Sequence, residues 1–176
     1  MDVRTTAEEN ISGLTDLAMA VRAAVEDKDP SRLGALFAPA ALICVSGRFL
    51  AKDEALRRLA VFFRTVEQLS MELTRLEEHE VTADGLFGSF AVEFHWTDTT
   101  TWEERNAIGT LSLTARRGAT VKTEAVARAA EWQLTGFAYT PRTSEPADQG
   151  LTRGVGPSGW ATNLIDAAYG PLSVWR

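Results

Sequence analysis

The residues whose types most directly suggest proton transfer are Glu93 and His95, two apart in the segment FAVEFHW. A carboxylate beside an imidazole orients the ring and raises its pKa, which suits acid–base work near neutrality. In an extended segment, residues two apart share a face. Glu93 and His95 would therefore project with Ser89 and Thr97, while Leu86, Gly88, Phe90, Val92, Phe94 and Trp96 take the other face. The apolar face must seek the core, which puts the pair on the outer face or at an interface between copies. A β-bulge would reverse that assignment.

A second polar set follows on the next strand, where Trp102, Glu104 and Asn106 share one face and Glu103 and Arg105 the other. One of these sets should lie at the mouth of a pocket, and the spacing does not decide which. Phe90, Phe94, Trp96, Trp102 and Trp132, with Asn106, are the candidate ligand-contacting residues. The aromatic members would make a wall for a flat hydrophobic molecule, or would be core, as large aromatic residues commonly are. His79, His95 and Cys44 lack metal-ligand spacing, so no metal site is expected. Cys44, between Ile43 and Val45, reads as a buried and inert thiol. Gly154-Val155-Gly156 precedes no helix of the kind a phosphate loop needs, and no cofactor is expected.

These candidates must be positioned by an α+β arrangement. Thr5 with Glu8 and Thr6 with Glu9 both fit a capping box, and Ile11, Leu14, Ala18, Val21 and Val25 then recur near a 3.6-residue period. Asp29-Pro30 starts a second, short helix, since Asp caps and Pro suits the first helical position. Residues 41–50 read as two short strands about a Ser46-Gly47 turn. KDEALRRLAVFFRTV is a third helix, with Ala55, Leu59, Phe62, Phe63 and Val66 on one face and Arg57, Arg58 and Arg64 largely outside it. From Leu69 the period becomes two, with Met71, Leu73 and Arg75 alternating with Glu72, Thr74 and Leu76. Turns at Ala83-Asp84-Gly85 and at residues 98–101 separate this strand from the next two, the second running from Trp102 to about Ala115. A last strand covers residues 131–139. Helices segregated to the N-terminal half, followed by an antiparallel meander, give one domain over residues 1–140.

Residues 141–176 hold four of the six prolines, five glycines and no lysine, which reads as a linker and tail. Within it Ser158 could cap a short helix at 158–169. Its stripe of Trp160, Leu164 and Ala168 would dock on this domain, its dimer mate or a partner protein.

Bulk composition limits the function. The 24 acidic residues outnumber 18 basic ones, of which only Lys28, Lys52 and Lys122 are lysines, so no cationic face for nucleic acid is in prospect. The longest apolar stretch is broken by Pro39 and is too short to span a bilayer. Asp2, Glu8 and Glu9 stand where a signal peptide would be basic and then apolar, and a single cysteine fits a reducing compartment. A cytoplasmic protein is expected.

The segment AVEDKDPSRLGALFAPAALICVSGRFLAKDEALRRL, with the strands from Leu86 to Ala115 and the late Trp132, resembles the nuclear-transport-factor-2-like superfamily over roughly residues 10–140. That superfamily includes ketosteroid isomerases, limonene-type epoxide hydrolases, scytalone dehydratase and polyketide cyclases. The resemblance implies a cone-shaped, curved, mostly antiparallel mixed sheet with three N-terminal helices on its concave face, an internal pocket, and homodimers through the outer sheet face. It does not carry over a reaction. Isomerase chemistry needs a general base and an oxyanion-holding Tyr–Asp pair, and those positions fall near Val21, Val45 and Leu111 or Ser112. The hydrolase positions fall near Phe94, Trp96 and Leu134. Dehydratase-like chemistry relies on two His and two Tyr, yet His79 sits at a strand end and neither tyrosine is in the first helix.

Two readings follow. One is a dimeric cone that binds a small hydrophobic or aromatic molecule, with polyketide-cyclase-like or isomerase-like turnover left open. The other is a non-catalytic dimeric adaptor whose pocket is filled by its own side chains. A cavity of roughly a few hundred Å³ with a polar pair would favour the first, and a filled cone the second.

Overall fold

The computed structural model describes residues 3–82, 85–118 and 132–142, with side chains from Ile11 onward. Three helices, α1 (Val3–Glu26), α2 (Pro30–Ala35) and α3 (Lys52–Arg64), are interleaved with and followed by six strands: β1 (Phe37–Val45), β2 (Arg48–Ala51), β3 (Val66–Val81), β4 (Gly85–Asp98), β5 (Glu104–Arg117) and β6 (Trp132–Pro141). The strands form one sheet in the order β2-β1-β6-β5-β4-β3. Every neighbouring pair is antiparallel except β1 with β6, which is parallel. The fold is the expected α+β cone with a curved, mixed sheet.

The helices begin where local chemistry starts them. Asp29 Oδ1 accepts the Arg32 backbone N–H at 2.9 Å and Pro30 occupies the first turn of α2, as the Asp-Pro pair predicts. The proposed capping boxes of α1 involve side chains outside the described residues. The apolar stripe of α1 is buried at Leu14, Leu17, Ala18, Val21 and Val25. Helix α1 packs on β3 and β4. It sits close because β4 carries Gly88: a Cβ there would fall 2.4 Å from Leu14 Cδ2. Helix α3 buries Ala55, Phe62 and Phe63 against the sheet. Arg58 departs from the expected exposed set, its side chain only 11% exposed beside Glu54.

The expected alternation on β3 fails beyond Leu73. Met71 and Leu73 pair with Phe94 and Val92 on the core side, but the register shifts before Arg75 and again between Leu76 and Glu78. Each bulge inserts one residue and moves the next side chain to the opposite face. Arg75, paired with Ala91, therefore points outward, and Leu76, paired with Phe90, packs against the core. Strand β4 has unbroken register with β5, so its two faces are those its alternation predicts.

Strand β5 starts at Glu104, not at Trp102. Trp102 has a left-handed backbone (φ 58°) in the preceding turn, where Asp98 Oδ1 accepts the backbone N–H groups of Thr100 and Thr101. Strand β6 runs on to Pro141, and the Arg142 N–H donates to the Ile108 carbonyl at 2.9 Å. The Ala83-Asp84 turn and the proposed helix at 158–169 lie outside the described residues. Among the described residues no helix is long and apolar enough to cross a membrane.

Candidate functional site

The concave side of the sheet and the three helices enclose a cavity of about 110 Å³. Its walls are aliphatic and aromatic: Val25 from α1, Leu33 from α2, Ala55, Leu56, Leu59, Phe62 and Phe63 from α3, and Phe37, Ile43, Val45, Leu69, Phe94, Phe137 and Tyr139 from the sheet. The half-buried Val45, Leu56, Leu59, Phe94 and Phe137 mark its mouth. Rings meet edge-on around it, Phe37 with Phe137 at 5.9 Å and Phe94 with Tyr139 at 5.5 Å between centroids.

Among the described residues, Tyr139 is the one lining residue whose side chain carries a nitrogen or oxygen. The residue is 4% exposed, and its hydroxyl has no hydrogen-bond partner among the described residues. Burial pushes the phenol well above its ordinary value of 10.0, because a phenolate would lose its hydration in this environment. It is a neutral donor and acceptor across the physiological range.

The position of Tyr139 depends on a bulge. The β5–β6 register shifts between Ala115, paired with Leu134, and Thr114, paired with Gly136. Thr135 is the inserted residue. Counting by twos from Trp132 and Leu134 would send Tyr139 outward, whereas the bulge turns Phe137 and Tyr139 into the cone. The cross-strand residues that would reveal this are on β5, so only a strand-pairing argument could have found Tyr139 from sequence.

The residues singled out from sequence are dispersed. Phe94 lines the cavity. Phe90, Trp96 and Trp132 are core residues, 5%, 4% and 5% exposed, outside the cavity lining. Trp96 packs edge-on against Phe62, and the Arg117 guanidinium lies 5.2 Å from the centre of the Trp132 ring. Trp102 is 68% exposed, because the turn carries it away from the sheet. Asn106 pairs with His95 on the outer face, so the inward-facing residue at this end of β5 is Arg105, opposite Trp96.

Glu93 and His95 do meet, with Nε2 of His95 3.2 Å from Oε1 of Glu93. They do so on the outer face, flanked by Ser70 and Glu72 of β3 and by Asn106 and Ile108 of β5. The sheet separates them from the cavity. Among the described residues no group of His, Cys, Asp and Glu could hold a metal ion.

No family model matches the chain, and no curated protein does. Solved structures do match. A protein of unknown function from Mycobacterium tuberculosis superposes with a TM-score of 0.71 at 11% identity, over 96% of this chain and 93% of that one. A nuclear-transport-factor-2-like superfamily protein from Salmonella enterica serovar Typhimurium superposes with a TM-score of 0.63 at 15% identity, over 85% of this chain and 99% of that one. The chain has the nuclear-transport-factor-2-like fold. A ketosteroid isomerase-like protein from Erwinia carotovora atroseptica shares it, with a TM-score of 0.58 at 20% identity over 74% of this chain and 94% of that one.

Within the nuclear-transport-factor-2-like cone, the positions to which the resemblance assigned isomerase chemistry are apolar or turned away. Val21 and Leu111 are fully buried and Val45 lines the cavity. Ser112 faces outward, its hydroxyl 3.4 Å from that of Ser89. The hydrolase position at Leu134 is fully buried aliphatic core. His79 is exposed near the end of β3.

Proposed function

We propose that this protein binds a small hydrophobic molecule inside the cone. The observation that carries the reading is the apolar cavity of about 110 Å³, which the surrounding side chains leave unfilled. For scale, an engineered cavity of roughly 150 Å³ lined by Leu, Ile and Phe takes up benzene. The cavity is smaller than the few hundred Å³ that a large flat ligand would need, and its lining among the described residues lacks the polar pair that acid–base turnover would call for. Those two facts favour binding of a compact molecule over isomerase-like or cyclase-like chemistry. The unfilled volume itself weighs against an adaptor whose cone is filled.

The test is thermal stabilisation by a panel of single-ring apolar compounds, because a ligand that binds only the folded state raises the melting temperature as its concentration rises above its Kd. Compounds of benzene or toluene size should shift the melting temperature of the wild-type chain. Val45→Phe, which pushes a ring into the lining, should abolish the shift. A panel with no stabilising member overturns the reading.

Two accompanying readings are also proposals. Homodimerisation through the outer sheet face is supported by Ile108, 44% exposed on β5. Light scattering of the wild type and Ile108→Lys tests it. A cytoplasmic location is tested by fractionation.

A further inference from the structure

We infer that the cavity admits its ligand hydrocarbon end first and accepts a polar group only at the mouth, so that it takes neutral, single-ring-sized molecules with at most one polar end. This inference rests on the binding reading above and specifies its ligand class.

The interior gives a ligand nothing to hydrogen-bond. The buried Leu33, Phe37, Ile43, Phe62 and Phe63 present only carbon and hydrogen to the space between them. Tyr139 joins the same wall through its ring. Its hydroxyl oxygen has essentially no accessible surface, and a Cβ on Gly109 would fall 2.5 Å from its Cε2 and 2.8 Å from its Cζ. The strand backbone in the wall is engaged sideways, in the ladders of β1 with β6 and of β5 with β4 and β6. A hydroxyl or carbonyl placed deep in the cavity would therefore lose its water partners and gain none, which weakens binding. A water carried in with it is a poor remedy, because a buried water itself needs several polar partners.

The mouth is different. Val45, Leu56, Leu59, Phe94 and Phe137 are half-buried, so solvent reaches this end of the cavity. A polar group held there keeps its hydration while the rest of the molecule is buried. Among the described residues no charged side chain borders the cavity, so a carboxylate or phosphate gains no counter-charge for the hydration it gives up. A compact molecule that is polar at both ends must set one of them among hydrocarbon. The lining thus sorts ligands by where their polarity lies as well as by how much they carry.

The experiment compares p-xylene, p-cresol and hydroquinone, three para-substituted rings of similar shape, by calorimetry on the wild-type full chain and on Tyr139→Phe. In the wild type, p-xylene and p-cresol should bind within roughly tenfold of each other, because the cresol hydroxyl stays at the mouth, and hydroquinone at least roughly tenfold more weakly than p-cresol, because one of its hydroxyls must go inward. Nuclear Overhauser contacts should join the p-cresol methyl group to Ile43 or Phe62, and the ring protons beside its hydroxyl to Val45 or Leu59. Tyr139→Phe should leave the order of the three affinities unchanged, since the phenol does not touch the ligand. If p-xylene binds and hydroquinone falls short of p-cresol by less than about tenfold, or p-cresol lies hydroxyl inward, or the substitution weakens the two phenols selectively, the inference is overturned while the binding reading stands. If none of the three binds the wild type, both fall.

Discussion

The ring of Tyr139 lies against the bare backbone of Gly109: a Cβ on that glycine would fall 2.5 Å from Tyr139 Cε2 and 2.6 Å from the Thr140 carbonyl oxygen. The second contact is with backbone of the neighbouring strand, which cannot move aside as a side-chain tip can. Gly109→Ala should therefore force the ring from its place, shrink or distort the cavity, and destabilise the fold by about 1–3 kcal/mol, as overpacking does. Urea unfolding of the variant checks the stability, and the apolar-ligand shift checks the cavity. Wild-type stability with unchanged ligand binding would show that the two strands can separate freely there.

Tyr139 also predicts an alkaline limit. Its folded pKa is raised above the unfolded value of about 10. The folded state thus keeps a proton that the unfolded chain releases, and stability falls as pH rises above about 10. The slope for one such proton is about 1.4 kcal/mol per pH unit. Below pH 10 the group contributes no pH dependence. Tyr139→Phe should flatten this part of the profile, measured as the difference between variant and wild type in denaturant unfolding from about pH 8 upward.

His95→Ala should change stability by no more than about 0.5 kcal/mol and leave ligand affinity unaltered, because the imidazole stands on the outer face with the sheet between it and the cavity. Calorimetry with the best apolar probe is the check. A hundredfold loss of any turnover found later would reverse this placement.

Glu77, the inserted residue of a β3 bulge, joins distant parts of the outer face. Its carboxylate accepts from Arg142, which follows β6, and from Arg75 at 3.1 Å, while Arg142 Nε also donates to Thr110 Oγ1 at 3.2 Å. The two guanidinium groups hold the carboxyl below its usual range. A depressed pKa contributes stability that is present above about pH 4.5 and lost as pH falls through the folded value. Glu77→Gln should lower the melting temperature modestly near pH 7. The gap from wild type should close below about pH 4.5, and 1 M salt should shrink it further.

Much of the frame was legible in the amino-acid order because it rests on interactions within a few residues. Asp29 caps α2 through the N–H of a residue three places on, and the apolar stripe of α1 follows from helical spacing alone. The alternation of β4 was read correctly because that strand pairs with β5 without a bulge, so the outer location of Glu93 and His95 was already implied.

The site itself was decided by tertiary structure. Thr74, Glu77 and Thr135 are each the extra residue opposite a partner strand, and each reverses every side chain that follows. A bulge is a property of two strands in register, with the sheet curving around three helices, and the periodicity of one strand contains no record of it. Composition and spacing established an α+β chain with an aromatic core and a helix-covered sheet. Only the pairing of β6 with β5 turned Phe137 and Tyr139 inward, and so set their rings in the cavity wall while Trp102 and Asn106 were left outside it.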